Sequence, residues 1–336
     1  MLKNLILDPV THSPYLKFLI PESLYYTEDR NSPYPGGHYS SSEFLEKYKY
    51  NYHDDINEIG SSQEFSNLFI VLPVLSMVER HQGKKSTEWL KKFISLYDKF
   101  KKLVSGKIII FDNHDYDYDP YPIIEFMKPD IILKRVFTQR RYKYKKIFSY
   151  PFIMCTINDP FYNILNKREL EQKKKNNKII WSGTLFEHHE KIQNVCEEHT
   201  NRRSTLVRFM KKYKNLVDVK KVHYNQFLPL LNSYKYSLDL RGASRLNKRF
   251  FEILSTNSLI LGEKIDVVWP FEDGDKFSEE CFFEQGNVED LYRIYKNFEN
   301  DNNLYNRCLE NQKFIVKKYF NKEWLWKYIE NIIKNY

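Results

Sequence analysis

The chain has little of what most short-motif classes require. Its four cysteines, Cys155, Cys196, Cys281 and Cys308, are scattered and form no CxxC pair. A zinc site and a disulfide framework are thereby set aside, and a reducing compartment is the simpler setting. Glycine and proline number only 10 and 13, which excludes fibrous and low-complexity classes. No stretch approaches the roughly 18 apolar residues that span a bilayer. The opening apolar run stops at Asp8 and Pro9, so it reads as a buried strand rather than a signal peptide. A cytoplasmic protein is expected. No internal repeat is found, and no RNP, zinc or helix-turn-helix signature.

What the chain does have is a core and a surplus of positive charge. Hydrophobic residues make up 42% and aromatics 16% of 336 residues, enough for about two domains of roughly 150 residues each. The formal charge of +9 asks for an anionic partner. Nucleic acid, an acidic membrane surface and a phosphorylated small molecule all carry the right sign, so charge alone does not choose among them.

Apolar runs of strand length alternate with helical spacing, the pattern of a parallel α/β sheet. Strands are expected at Asn4–Leu7, Leu68–Leu75, Lys107–Phe111, Ile131–Leu133 and Lys146–Tyr150, and a helix over Thr87–Val104 ending near Gly106. The run NKRELEQKKKNNK, residues 166–178, is charged and free of aromatics, and reads as a solvated boundary. It divides the chain into a first domain over 1–165 and a second over 178–320. Residues 321–336 form a helix free to pack back on the first domain, with Trp324, Tyr328, Ile329, Ile332 and Ile333 on one face. In the second domain strands are expected at Lys178–Trp181, Val217–Val222, Tyr236–Leu240 and Ser258–Leu261. Helices are expected at Asn201–Tyr213, Phe227–Asn232 and Leu246–Thr256.

The strongest local signal is YSLDLRGASRLNKRFFEIL, residues 236–254. A strand runs into a glycine turn that opens onto a helix, and Arg245, Lys248, Arg249 and Glu252 share one face at helical spacing. Cations in the first turns of a helix oppose its dipole, so an external anion is needed to offset them, and a pyrophosphate fits. Arginine adds bidentate contacts to phosphate oxygens, and Glu252 can accept hydrogen bonds from ribose hydroxyls. The plainer alternative is a surface helix whose cations pair with local carboxylates.

The same run, continued by VVWPFEDGDKFSEECFFEQGNVEDLYRIY, resembles the C-terminal half of the exostosin-like glycosyltransferases (family 47) and the related capsule-associated, lipopolysaccharide-modifying group. Arg241, Gly242, Arg245, Arg249, Glu252, Pro270, Phe271, Lys276 and Phe277 match that pattern in order, and the likeness covers roughly residues 224–298. The resemblance implies a GT-B architecture, two Rossmann-like domains facing each other across a cleft, with the second holding a nucleotide-sugar donor. It implies transfer of a hexosyl or pentosyl unit from a UDP- or GDP-linked donor to a hydroxyl of a glycan acceptor, with inversion and without a metal or other cofactor. The chain departs from eukaryotic members in lacking a membrane anchor and a secretory cysteine pattern, which suits a bacterial or viral enzyme of glycan biosynthesis better.

Inversion needs a general base, and in this layout it comes from a strand end of the first domain. Strand Lys107–Phe111 ends in DNHDYDYD, residues 112–119. His114 and Asp115 are the leading candidates, with Asp112 orienting the imidazole; each could equally cap the next segment or face solvent. The overlapping DxD patterns at Asp115, Asp117 and Asp119 are the kind that binds a divalent ion in GT-A enzymes. The basic helix already compensates charge, so no metal is expected. Gly183, in the turn after strand Lys178–Trp181, can let the backbone pass close to the donor, and the resemblance implies that the loop Trp269–Asp273 closes over it. His38, beside two glycines, is a second-tier base. His188 and His189 read as a surface pair. Two rival classes remain: a nucleic-acid-binding protein or nuclease using the basic surface, and a catalytically dead sugar-binding module.

Overall fold

Short apolar runs between amphipathic helices become two all-parallel sheets. The computed structural model describes residues 4–8, 16–27, 52–53, 59, 65–72, 84–112, 125–135, 137–138, 145–150, 175–182, 197–222, 224–240, 246, 248–277 and 279–336. They belong to two units, Met1–Pro151 with Lys322–Tyr336, and Phe152–Asn321.

The first unit carries seven strands: β1 Asn4–Leu7, β2 Ser23–Tyr26, β3 Tyr52–His53, β4 Asn67–Val71, β5 Ile108–Asp112, β6 Ile131–Lys134 and β7 Ile147–Ser149. They pair in the order β3-β2-β1-β4-β5-β6-β7. β1, β4 and β5 are nearly continuous apolar runs because both of their faces are covered. On one face Leu5 sits opposite Leu24 and Leu68, and Leu68 opposite Ile108. That row joins Phe93, Leu96, Tyr97 and Phe100 of helix α2 (Lys84–Lys101) in one core. Helix α1 (Leu16–Leu19) precedes β2. On the other face Phe69 lies 6.5 Å from Trp326 of the C-terminal helix Lys322–Asn335.

That helix buries Leu325, Ile329 and Ile332, three to four residues apart. Tyr328 donates from its hydroxyl to the Ser149 carbonyl at 2.7 Å, and Lys107 Nζ to the Ile333 carbonyl at 2.5 Å.

The second unit carries β8 Asn176–Ser182, α3 Glu197–Lys212, β9 Val217–Lys220, α4 Tyr224–Asn232, β10 Tyr234–Asp239, α5 Lys248–Leu254, β11 Leu259–Glu263, β12 Phe282–Phe283, α6 Val288–Asn300 and α7 Asn302–Tyr319. The C-terminal helix of the first unit is then α8. The second sheet runs β12-β11-β10-β8-β9. Counted from its own first strand, this is the 2-1-3-4-5 doubly wound order, and the first unit extends the 3-2-1-4-5-6 order by one strand. Among the described residues, no helix is long and apolar enough to cross a membrane.

Several boundaries differ from the sequence expectation for local reasons. α5 spans Lys248–Leu254, not Leu246–Thr256. At its end Ser255 donates to the Glu252 carbonyl and Thr256 to the Ile253 carbonyl, taking up carbonyls a further turn would need. α2 stops at Lys101 rather than Val104, since Val104 bridges to Phe65 in parallel fashion. Gly106 is required there by close approach: a Cβ would lie 1.9 Å from the Ser66 carbonyl oxygen. β8 begins at polar Asn176 because its start is exposed; the Asn176 N–H donates to the Ser233 carbonyl at 3.0 Å and its side-chain oxygen accepts from the Lys178 N–H at 2.9 Å.

Candidate functional site

A doubly wound sheet opens a crevice at the carboxyl ends of its strands, where the strand order reverses. In the second unit that point lies between β8 and β10, which end at Ser182 and Asp239. Trp181 is the last residue but one of β8, Asp239 closes β10, and α5, the next helix, brings Arg249 and Glu252. Trp181, Ser182, Asp239 and Glu252 are all buried.

Arg249 is the centre of this group. Its guanidinium carbon lies 4.5 Å from the Trp181 ring centroid and 5.6 Å from that of Phe227 on α4. Burial pulls the Arg249 charge below its ordinary range, and the carboxylates of Glu252 and Asp239 act against that pull. Arg249 Nε and Trp181 Nε1 are both sealed from solvent without a hydrogen-bond partner. Buried donors are nearly always satisfied, so two orphans in contact mark a place where an acceptor is missing.

The segment after β11 is held down from behind. Trp269 lies 5.8 Å from Phe250 of α5, 4.7 Å from Phe277 and 6.5 Å from Phe320. Phe271 stacks on Tyr319 of α7 at 4.3 Å with ring planes 8° apart. Asp273, expected in a closing loop, accepts hydrogen bonds from Lys318 Nζ at 2.7 Å and from the Tyr319 hydroxyl. It is tied to α7, and the pairing with Asp273 holds the Lys318 ammonium above its ordinary range. The rings thus form a wall behind α5.

In the first unit, Asp112 ends β5 fully buried and paired to Lys134 Nζ of β6 at 2.9 Å, with Lys134 equally buried. Nearby in the same sheet, Tyr25 donates to Asp8 at 2.7 Å. Asp112 therefore has a cation of its own.

Of the expected site residues, Arg249 and Glu252 are brought together on α5, with Lys248 opening that helix. Asp112 belongs to the first unit and Asp273 to the α7 contact. His38, His114, Asp115, Gly183, Arg241, Gly242 and Arg245 lie outside the described residues. Trp181, Phe227 and Asp239 join the site without having been singled out in the sequence. Among the described residues, no group of three or more His, Cys, Asp and Glu is placed to hold a metal.

No protein-family model matches the chain, and no curated protein matches it in sequence. Solved structures do match in fold. Anabaena HepE, in complex with UDP and glucose, is 8% identical with all of both chains covered and a TM-score of 0.55. An alpha-glucosyltransferase in complex with UDP-glucose and DNA containing an abasic site is 10% identical, with 99% of each chain covered and a TM-score of 0.53. Phage T4 BGT in complex with UDP and Mn2+ is 13% identical, with 99% of each chain covered and a TM-score of 0.50. At such identities the likeness concerns fold. The chain has the GT-B fold, two parallel-sheet α/β units.

Proposed function

We propose that the protein is a glycosyltransferase that moves a sugar from a nucleotide-sugar donor to an acceptor hydroxyl. The second unit would hold the donor at the β8/β10 crevice. The observation that carries this reading is Arg249, a half-buried cation at the ligand edge of a doubly wound sheet, with no hydrogen-bond partner for its Nε. An anionic leaving group would complete it. As the bond to the anomeric carbon breaks, charge grows on the diphosphate, and Arg249 and Lys248 would neutralise it. Glu252 would take the ribose hydroxyls.

On the acceptor side a base removes the hydroxyl proton as that oxygen attacks the anomeric carbon, which inverts the linkage. His114 and Asp115 remain the candidates, with Asp112 beside them in sequence but committed to Lys134. The narrower exostosin-like assignment rests on the residues that match that pattern, and metal independence on the cations of α5. A glycan acceptor and a cytoplasmic setting belong to the same reading.

A second acceptor class has one observation in its favour. A neighbour in fold was solved with DNA, and this chain carries a net charge of +9. Both acceptors keep the donor site unchanged. Thermal shift and calorimetry with UDP, UDP-glucose and GDP test the donor reading directly. A uridine nucleotide comes first, because UDP or UDP-glucose is bound in the three likened structures. Binding should weaken by roughly a hundredfold in Arg249→Ala, the loss of a desolvated charge-assisted contact. Unchanged affinity in that variant would sink the reading. Loss of transfer in EDTA, restored by manganese, would overturn the metal-free part alone.

A further inference from the structure

Arg249 is a long flexible side chain whose Nε has no hydrogen-bond partner. What fixes it is aromatic. The Trp181 ring lies 4.5 Å from the guanidinium carbon and the Phe227 ring 5.6 Å. Trp181 comes from β8, Phe227 from α4 and Arg249 from α5, so three elements meet at one side chain. Both rings are buried, so neither can swing away without opening the sheet edge. A flat guanidinium against an indole face keeps its in-plane N–H donors available, which an ion pair to a carboxylate would consume.

We infer that Trp181, supported by Phe227, is a positioning residue of the donor site: it holds the Arg249 guanidinium by stacking so that its N–H donors stay free for the donor's diphosphate. This inference rests on the donor reading above and adds to it a residue that need not touch the nucleotide. A preset cation binds more tightly than a floppy one, because the rotamer freedom has been given up before the ligand arrives. The stack also explains why arginine is needed, since a lysine ammonium has no plane to stack.

The test is calorimetry on the full chain with UDP and with uridine, for wild type, Trp181→Phe, Trp181→Leu, Phe227→Leu, Arg249→Ala and Trp181→Leu/Arg249→Ala. Trp181→Phe keeps a stacking face and should stay within about threefold of wild type for UDP, whereas Trp181→Leu should lose roughly tenfold. Phe227→Leu should lose less, its ring being farther from the cation. Uridine affinity should not move in any of them. In the Arg249→Ala background Trp181→Leu should cost nothing more, as expected for residues acting as one unit. If the two losses multiply, or if uridine binding falls in parallel with UDP, Trp181 is not acting through Arg249 and the inference fails. Circular dichroism and the melting midpoint identify a variant that has lost its fold, and Trp181→Phe then carries the comparison: a tenfold loss there, with the ring face kept, overturns the inference. UDP binding that is unaffected by Arg249→Ala removes the donor reading itself. UDP binding lost in Arg249→Ala but intact in Trp181→Leu removes only the stacking inference.

Discussion

The two sheets treat charge at their carboxyl ends in opposite ways. In the first unit, Asp112 and Lys134 end neighbouring strands and neutralise each other at 2.9 Å, both fully buried. In the second, Arg249 rests on aromatic rings with Glu252 and Asp239 acting from a distance, and its Nε has no partner. Folds of one kind can thus close a strand end or leave it open. The closed pair is complete within its sheet, whereas under the proposed donor reading Arg249 is completed by a ligand.

Breaking the closed pair should have the largest effect. Asp112→Ala removes the buried carboxylate paired to Lys134 at 2.9 Å, and unfolding free energy should fall by about 3–5 kcal/mol, the usual loss when one partner of a buried ion pair is removed. Urea denaturation measures it. Adding Lys134→Met should recover most of the loss, because an apolar pair of similar volume costs little there. If the double variant is as unstable as Asp112→Ala, the pair is more than a neutralising contact and the contrast between the sheets collapses.

Sharpening the open site calls for a smaller change. Glu252→Gln removes the charge that steadies Arg249 and replaces one of the two carboxylate oxygens assigned to ribose with an amide donor. UDP affinity should fall by roughly tenfold, as for one lost hydrogen bond to a charged group. The variant and the wild type should bind a 2′,3′-dideoxy nucleotide within about threefold of each other. An equal tenfold loss for the dideoxy compound would assign Glu252 to Arg249 alone.

The contrast also explains what could be read from the residues in order. β4 and β5 are legible because parallel strands buried on both faces keep unbroken apolar runs, LFIV and IIIF. β2 and β12 escape, since SLYY and FF are short and owe their place to the neighbours they pair with. Arg249 and Glu252 are legible together because helical spacing puts them on one face. Asp239 could have been found by asking which polar residue closes the apolar run that precedes Arg241 and Gly242 in sequence. The stack of Arg249 on Trp181 leaves no local trace, because it depends on β8 and α5 meeting across β10. Asp112 reads as a candidate for orienting His114 for the same reason: nothing near it announces Lys134, which arrives only when β5 and β6 pair.

A second pair of lysines carries the comparison to its smallest expected effect. Lys134 is buried against a carboxylate, whereas Lys175, beside β8, donates to the Asn257 carbonyl and has Lys313 as a charged neighbour. Burial, with a smaller push from Lys313, brings the Lys175 ammonium down to about 8. The folded protein therefore releases this proton more readily than the unfolded chain, whose lysine titrates at its ordinary 10.5. Between those values the unfolded chain binds more protons, so stability should rise with pH, and below about 8 the full cost of the buried charge should be felt. Tyr97 and Tyr305, each pushed up to about 12 mainly by burial, act in the opposite sense above their ordinary value of 10.0, so the window to use lies below it. Urea midpoints from pH 7 to 9.5 should climb for the wild type relative to Lys175→Met, with the variant the more stable at pH 7. Parallel curves would mean that the Asn257 carbonyl satisfies Lys175 as fully as Asp112 satisfies Lys134. Among the described residues, the contrast in how the two units treat buried charge would then rest on Arg249.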